Sequence, residues 1–171
     1  MNRRISLIVL MMVLVGVVLS HLSWKNADNG PLLLVDGRPL DVLGELSNRW
    51  TAWSTRCDLV KRLSPDDAQY IQAKEQIKNY SPPSSEFLSI ASVWALSDWI
   101  LVEVEFKELL PSLVVLQRTQ GEWAILPRAV WSGYTKPWKA GPFLRHYIGK
   151  QVPELPSELS GCFVPQSPSF Q

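Results

Sequence analysis

The chain reads as an α+β protein: an N-terminal transmembrane helix, then helices packed on a four-stranded antiparallel meander sheet, then an irregular C-terminal extension. Three observations carry that reading. Asn2-Arg3-Arg4 is followed by an apolar run from Ile5 to Leu19, broken only by Ser6 and Gly16. Leu43, Leu46, Trp50, Trp53 and Cys57, and then Tyr70, Ala73, Ile77 and Tyr80, recur at steps of three and four, the helical period. Further on, Ile100, Val102, Val104 and Phe106 alternate with Leu101, Glu103, Glu105 and Lys107, the period of a half-buried strand. Helices followed by short-linked strands make an α+β layer arrangement.

The leader sets the expected compartment. From Ile5 to Leu22 it counts 18 residues, close to the roughly 20 that cross a hydrocarbon core. With no polar face at the helical period, the run does not suit a buried core helix. Residues 1–23 are expected to be a cytoplasmic tip and a membrane-spanning signal-anchor. Arg3 and Arg4 would stay inside, placing the chain from Trp24 onward in the periplasm. A cleaved secretory signal also fits, with Val18 and Ser20 at the −3 and −1 positions; the chain would then be secreted.

The remaining elements follow in order. Residues 24–40 read as a juxtamembrane linker, with a short apolar strand at Leu32–Val35 and a turn at Asp36-Gly37-Arg38-Pro39. An exported globular domain is expected over 41–164. Its first helix carries the Leu43–Cys57 stripe, which is expected to face the core. Ser64-Pro65-Asp66-Asp67 is a helix start, with a capping hydroxyl, proline at the first position and acids at the positive end of the dipole. Ser81-Pro82-Pro83-Ser84-Ser85 ends that helix. Strands are expected from Phe87 to Leu96, across Ile100–Lys107, from Leu113 to Arg118, and from Glu122 to Trp131 with an interruption at Pro127. Beyond Ser132 a short helix carries Phe143, Leu144, Tyr147 and Ile148 on one side, and Ser157–Leu159 adds a turn. Residues 165–171 are expected to be a disordered tail.

Two helices followed by an antiparallel sheet, with one strand entered through Gly121-Glu122-Trp123-Ala124-Ile125, resemble the NTF2-like superfamily over about residues 41–131. The resemblance implies a cone-shaped α+β fold that houses either a small-molecule site or nothing. Membrane-anchored members of that superfamily include periplasmic assembly factors of type IV secretion machines. No site residues carry over, and the last 40 residues depart from the pattern.

Charge and motif content bound the chemistry. Seventeen basic and 16 acidic residues leave a formal charge of +1, which argues against a nucleic-acid partner held by bulk electrostatics. No G-x-S-x-G, phosphate-binding loop, G-x-G-x-x-G, H-E-x-x-H or C-x-x-C occurs in the sequence. We therefore expect no catalytic residues, cofactor or metal site. His146 is the one histidine outside the leader, and nearby Arg145 and Lys150 disfavour the imidazolium that a catalytic triad generates. Glu103 and Glu105 share a strand face roughly 7 Å apart; with Lys107 they read as a solvated row. Cys57 and Cys162 either pair as a disulfide or are two separately buried thiols.

The richest contact candidate is the segment from Trp131 to Lys150, with Tyr134, Lys136, Trp138, Lys139 and Arg145 as candidate binding residues. It reads either as a surface for a polyanion, glycan or phospholipid, or as a loop whose aromatics cover the sheet while its cations snorkel. Two functional expectations follow. One is a membrane-anchored, non-enzymatic interaction or assembly domain facing the periplasm, an accessory of a secretion or envelope complex. Its partners would be the membrane through the N-terminal helix, another protein, and a second copy in a homo-oligomer. The other is a small-molecule-binding or hydrolytic domain, its site inside the sheet cone and lined by Trp94, Trp99 and Trp123.

Overall fold

A computed structural model describes residues 2–80 and 87–170, with side chains from Leu7 onward. The loop expected at Ser81–Ser85 and the side chains of Arg3 and Arg4 lie outside the described residues. Helix α1 covers Asn2–Ser20 and leads directly into strand β1 (Leu22–Ala27), which pairs Leu22 with Val35 of β2 (Gly30–Val35). Here the expected transmembrane helix is corrected. With Leu22 drawn into a strand, the apolar run within α1 is Ile5–Leu19. At 1.5 Å per residue that run is ~22 Å long, short of a hydrocarbon core of about 30 Å. Among the described residues no helix is long and apolar enough to cross a membrane. The segment expected to be a linker instead carries a three-stranded antiparallel meander, completed by β3 (Arg38–Leu40). Asp36 and Gly37, both at positive φ, make its second turn.

Helix α2 (Val42–Ser54) follows, then β4 (Lys61–Arg62) and α3 (Ala68–Tyr80). The meander is β5 (Ser89–Leu96), β6 (Trp99–Glu105), β7 (Ser112–Thr119) and β8 (Glu122–Ile125). Two short strands extend it, β4 on β5 and β9 (Trp131–Ser132) on β7, so the sheet has six strands rather than four. Pro127 opens a single 3-10 turn over Pro127–Ala129 and separates β8 from β9.

The sheet is covered on both faces. Ile100, Val102 and Val104 of β6 pack toward Ala73 and Ile77 of α3, with Val93, Leu116 and Trp123. The alternate residues Trp99 and Leu101, with Leu113 and Val115 of β7, pack toward α4 (Ala140–Gln151) and α5 (Ser157–Cys162) through Leu144, Ile148 and Leu159, and toward Phe163 and Phe170. Each fully buried aliphatic side chain here is worth about 1.5–3 kcal/mol of transfer free energy. A three-layer arrangement therefore replaces helices on one face. The irregular extension supplies most of the second layer and covers Leu101 and Val115.

The tail expected to be disordered belongs to this layer. Phe170 is only 1% exposed, and the buried Thr135 hydroxyl donates to its carbonyl at 2.7 Å.

Candidate functional site

Helix α2 is mounted inside out. Its apolar stripe, expected to be core, faces solvent: Leu43 is 47% exposed, Leu46 59%, Trp50 66% and Trp53 79%. The Trp50 and Trp53 rings lie 5.3 Å apart. The opposite side of the helix, carrying Glu45 and Asn48, meets the body through polar contacts. Asp41 caps the helix by accepting from the Gly44 N–H at 2.7 Å, while its other oxygen accepts from the Lys139 N–H at 2.8 Å. Glu45 meets the Lys139 ammonium at 3.2 Å and also accepts from Arg49. Hydrogen bonds from Arg49 and Lys139 hold its carboxyl below the usual value. Asn48 accepts from the Arg145 guanidinium at 2.9 Å.

Beyond the helix, Cys57 and Cys162 form a disulfide to α5. Two glycines permit the close approach. A Cβ on Gly161 would lie 2.7 Å from Thr55 Oγ1, and one on Gly141 would lie 3.1 Å from Asn48 Oδ1. The outward seam is thus fixed by a cap, an ion pair, a side-chain hydrogen bond and a covalent bond.

The candidate binding residues separate. Tyr134 is 65% exposed and Lys136 is exposed. The Trp138 ring is half-buried, 6.2 Å from Phe143, and its Nε1–H is buried without a partner among the described residues. Lys139 is committed to α2. Arg145 donates to Asn48 and, at 3.3 Å, to the Phe163 carbonyl, and its burial lowers its pKa from the ordinary value. Lys139 and Arg145 therefore hold α2 to α4, and only Tyr134 and Lys136 project.

Glu103 is not on a wet face; this expectation is corrected. It is fully buried and clamps the C-terminal segment. Oε1 accepts from the backbone N–H groups of Gln166 at 3.0 Å and Ser167 at 2.8 Å, and Oε2 accepts from the Ser92 hydroxyl at 2.7 Å. The Ser167 hydroxyl donates to Glu105, so both carboxylates of the expected row hold the tail. Trp94 and Trp99 pack with the α4–α5 core, whereas Trp123 packs on the α3 side, so the three do not line one cavity. An apolar pocket of about 330 Å³ does lie between α3 and the β6–β7 connection, lined by Ile77, Tyr80, Phe106, Leu109 and Val130 among others. His146 is exposed beside a groove between α2 and α4. Among the described residues, no group of three or more His, Cys, Asp or Glu gathers as a metal site.

Burial raises the Glu103 pKa above 4.5, and Glu105 adds to that, while the N–H groups of Gln166 and Ser167 and the Ser92 hydroxyl oppose it. The fold therefore favours the protonated form. Its stabilising contribution is full below the ordinary glutamate value and is lost as pH rises through the raised one. Denaturant midpoints measured against pH should fall across that window in the wild type, and Glu103→Gln should flatten the fall. An unchanged slope in the variant would refute the assignment.

Comparison with family models, curated proteins and solved structures finds no match. The class defined by fold and site is a disulfide-bridged, three-layer α+β domain that presents an apolar helix face.

Proposed function

We propose that the chain is a non-enzymatic interaction domain working outside the cytoplasm, with the outward face of α2 as its contact surface. The inside-out mounting of α2 carries this reading. Exposing two tryptophans and two leucines in one row is costly in water, and contiguous apolar patches of this kind mark interaction sites. Tryptophan is also among the residue types that dominate interface energy. The Cys57–Cys162 disulfide supports an oxidising compartment. The apolar run behind two arginines supports export to the periplasm. Exposed apolar side chains all along Leu7–Val15 of α1 support lipid as a partner of that helix. Kinship of residues 41–131 with the NTF2-like superfamily is kept as a proposal for the sheet, on its two preceding helices and the Gly121–Ile125 strand entry.

A photo-crosslinking amino acid placed at Trp53 in cells should capture a protein, whereas the same group at the exposed Glu122 should not. A folded protein that gives no adduct from Trp53 or Leu46 would end this reading. The pocket of about 330 Å³ favours a second reading, a small apolar ligand held against Ile77 and Phe106. That reading predicts that an alkyl probe raises the thermal transition and that the bulkier Val130→Phe abolishes the rise.

A further inference from the structure

We infer that the occupant of the α2 face is a second copy of this chain, docked α2 to α2 in an antiparallel, two-fold arrangement. This rests on the interaction reading above and names its partner.

Four features of the face support self-association. The seam is Leu43, Leu46, Trp50 and Trp53, spaced at three, four and three residues, the spacing with which one helix packs along another. It carries no charge, so two copies meet without repulsion. The leucines occupy the N-terminal half and the indoles the C-terminal half. Antiparallel pairing sets each indole pair over the other copy's leucines, large against small, whereas parallel pairing would stack four indoles at one end and leave a gap at the other.

The helix dipoles agree with that direction, since they oppose each other in an antiparallel pair.

The area fits a weak, concentration-dependent pair. At about 200 Å² for a large side chain, the exposed shares of the two indoles and two leucines give roughly 500 Å² per copy. The roughly 1,000 Å² total is the size of a transient protein interface. A bilayer fits this face less well. Helices that lie on lipid flank their apolar stripe with cations, but the polar positions of α2 are Ser47, Asn48, Thr51 and Ser54, and its one cation, Arg49, is paired with Glu45.

The experiment uses the full chain in mild detergent, followed by sedimentation equilibrium across a concentration series. The wild type should be a monomer–dimer system. Leu46→Glu should raise the dissociation constant at least about 100-fold, because it buries an unpaired carboxylate. Trp53→Ser should also weaken association, and both exposed-site variants should keep the wild-type circular dichroism. A photo-crosslinker at position 53 should give an adduct of twice the chain mass, with its crosslink in the 43–46 stretch of the other copy. A crosslink from 53 to 53 would overturn the antiparallel arrangement. A monomer at every concentration, or a dimer that survives both substitutions, overturns the inference. An adduct to a different protein overturns it while leaving the interaction reading standing. No protein adduct, or vesicle binding that Leu46→Glu abolishes, overturns both.

Discussion

Replacing Cys162 with Ser is expected to lower the free energy of unfolding by about 4–5 kcal/mol, the chain-entropy value for closing a loop of about 100 residues. The bridge spans a sequence separation of 105 and ties the end of α2 to α5. Cys57→Ser should cost the same and the double variant no more, because each change removes one shared bond. Oxidised and reduced wild type should differ by that amount in denaturant unfolding, and reductant should leave the double variant unmoved. The effect should concentrate on α2, which buries only Gly44 and has no apolar side chain in either core. A loss below about 1 kcal/mol would mean that the polar contacts hold α2 without the bridge.

Glu103→Ala is expected to cost about 3–5 kcal/mol, because it leaves the buried N–H of Ser167 and the part-buried N–H of Gln166 without an acceptor and opens a cavity beside the Ser92 hydroxyl. The tail should detach first and take Phe170 out of the core. Limited proteolysis should then cut after Phe163 while the sheet stays intact. Glu103→Gln should keep the tail, since its amide oxygen still accepts the two N–H groups and its amide nitrogen donates to Ser92. If the alanine variant retains wild-type stability and protease resistance, the clamp is not what orders residues 165–170.

Much of the meander was legible because its signals are local. The alternation from Ile100 to Phe106 marks β6, Gln120-Gly121 marks the turn into β8, and Pro127 breaks the strand as read. The helix start lies three residues later than expected: Ser64 to Asp67 forms a turn in which the Asp67 carboxylate accepts from the Ser64 N–H and hydroxyl, and α3 begins at Ala68. The two cysteines were legible as a candidate pair with separately buried thiols as the alternative, and the structure decides for the disulfide. Direction was not legible. The α2 pattern has an apolar row and a polar row, and periodicity does not say which row meets the body. That depends on Lys139, Arg145 and Cys162, about 100 residues away. The same limit hid the clamp: a glutamate among valines looks wet until a distant segment brings backbone N–H groups to it. Among the candidate binding residues, Lys139 and Arg145 make their contacts within the chain, with partners about 100 residues away that no local pattern reveals.

The two faces of the sheet differ in how much chain each must gather. The α3-side core draws its buried members from residues 73 to 123. The opposite core reaches from residue 99 to residue 170, and its closing contacts join segments more than 60 residues apart. Loop-closure entropy makes the near contacts fast and the far ones slow. Any state in which α3 is seated on the meander while the chain beyond residue 140 is undocked leaves Leu101, Leu113 and Val115 bare.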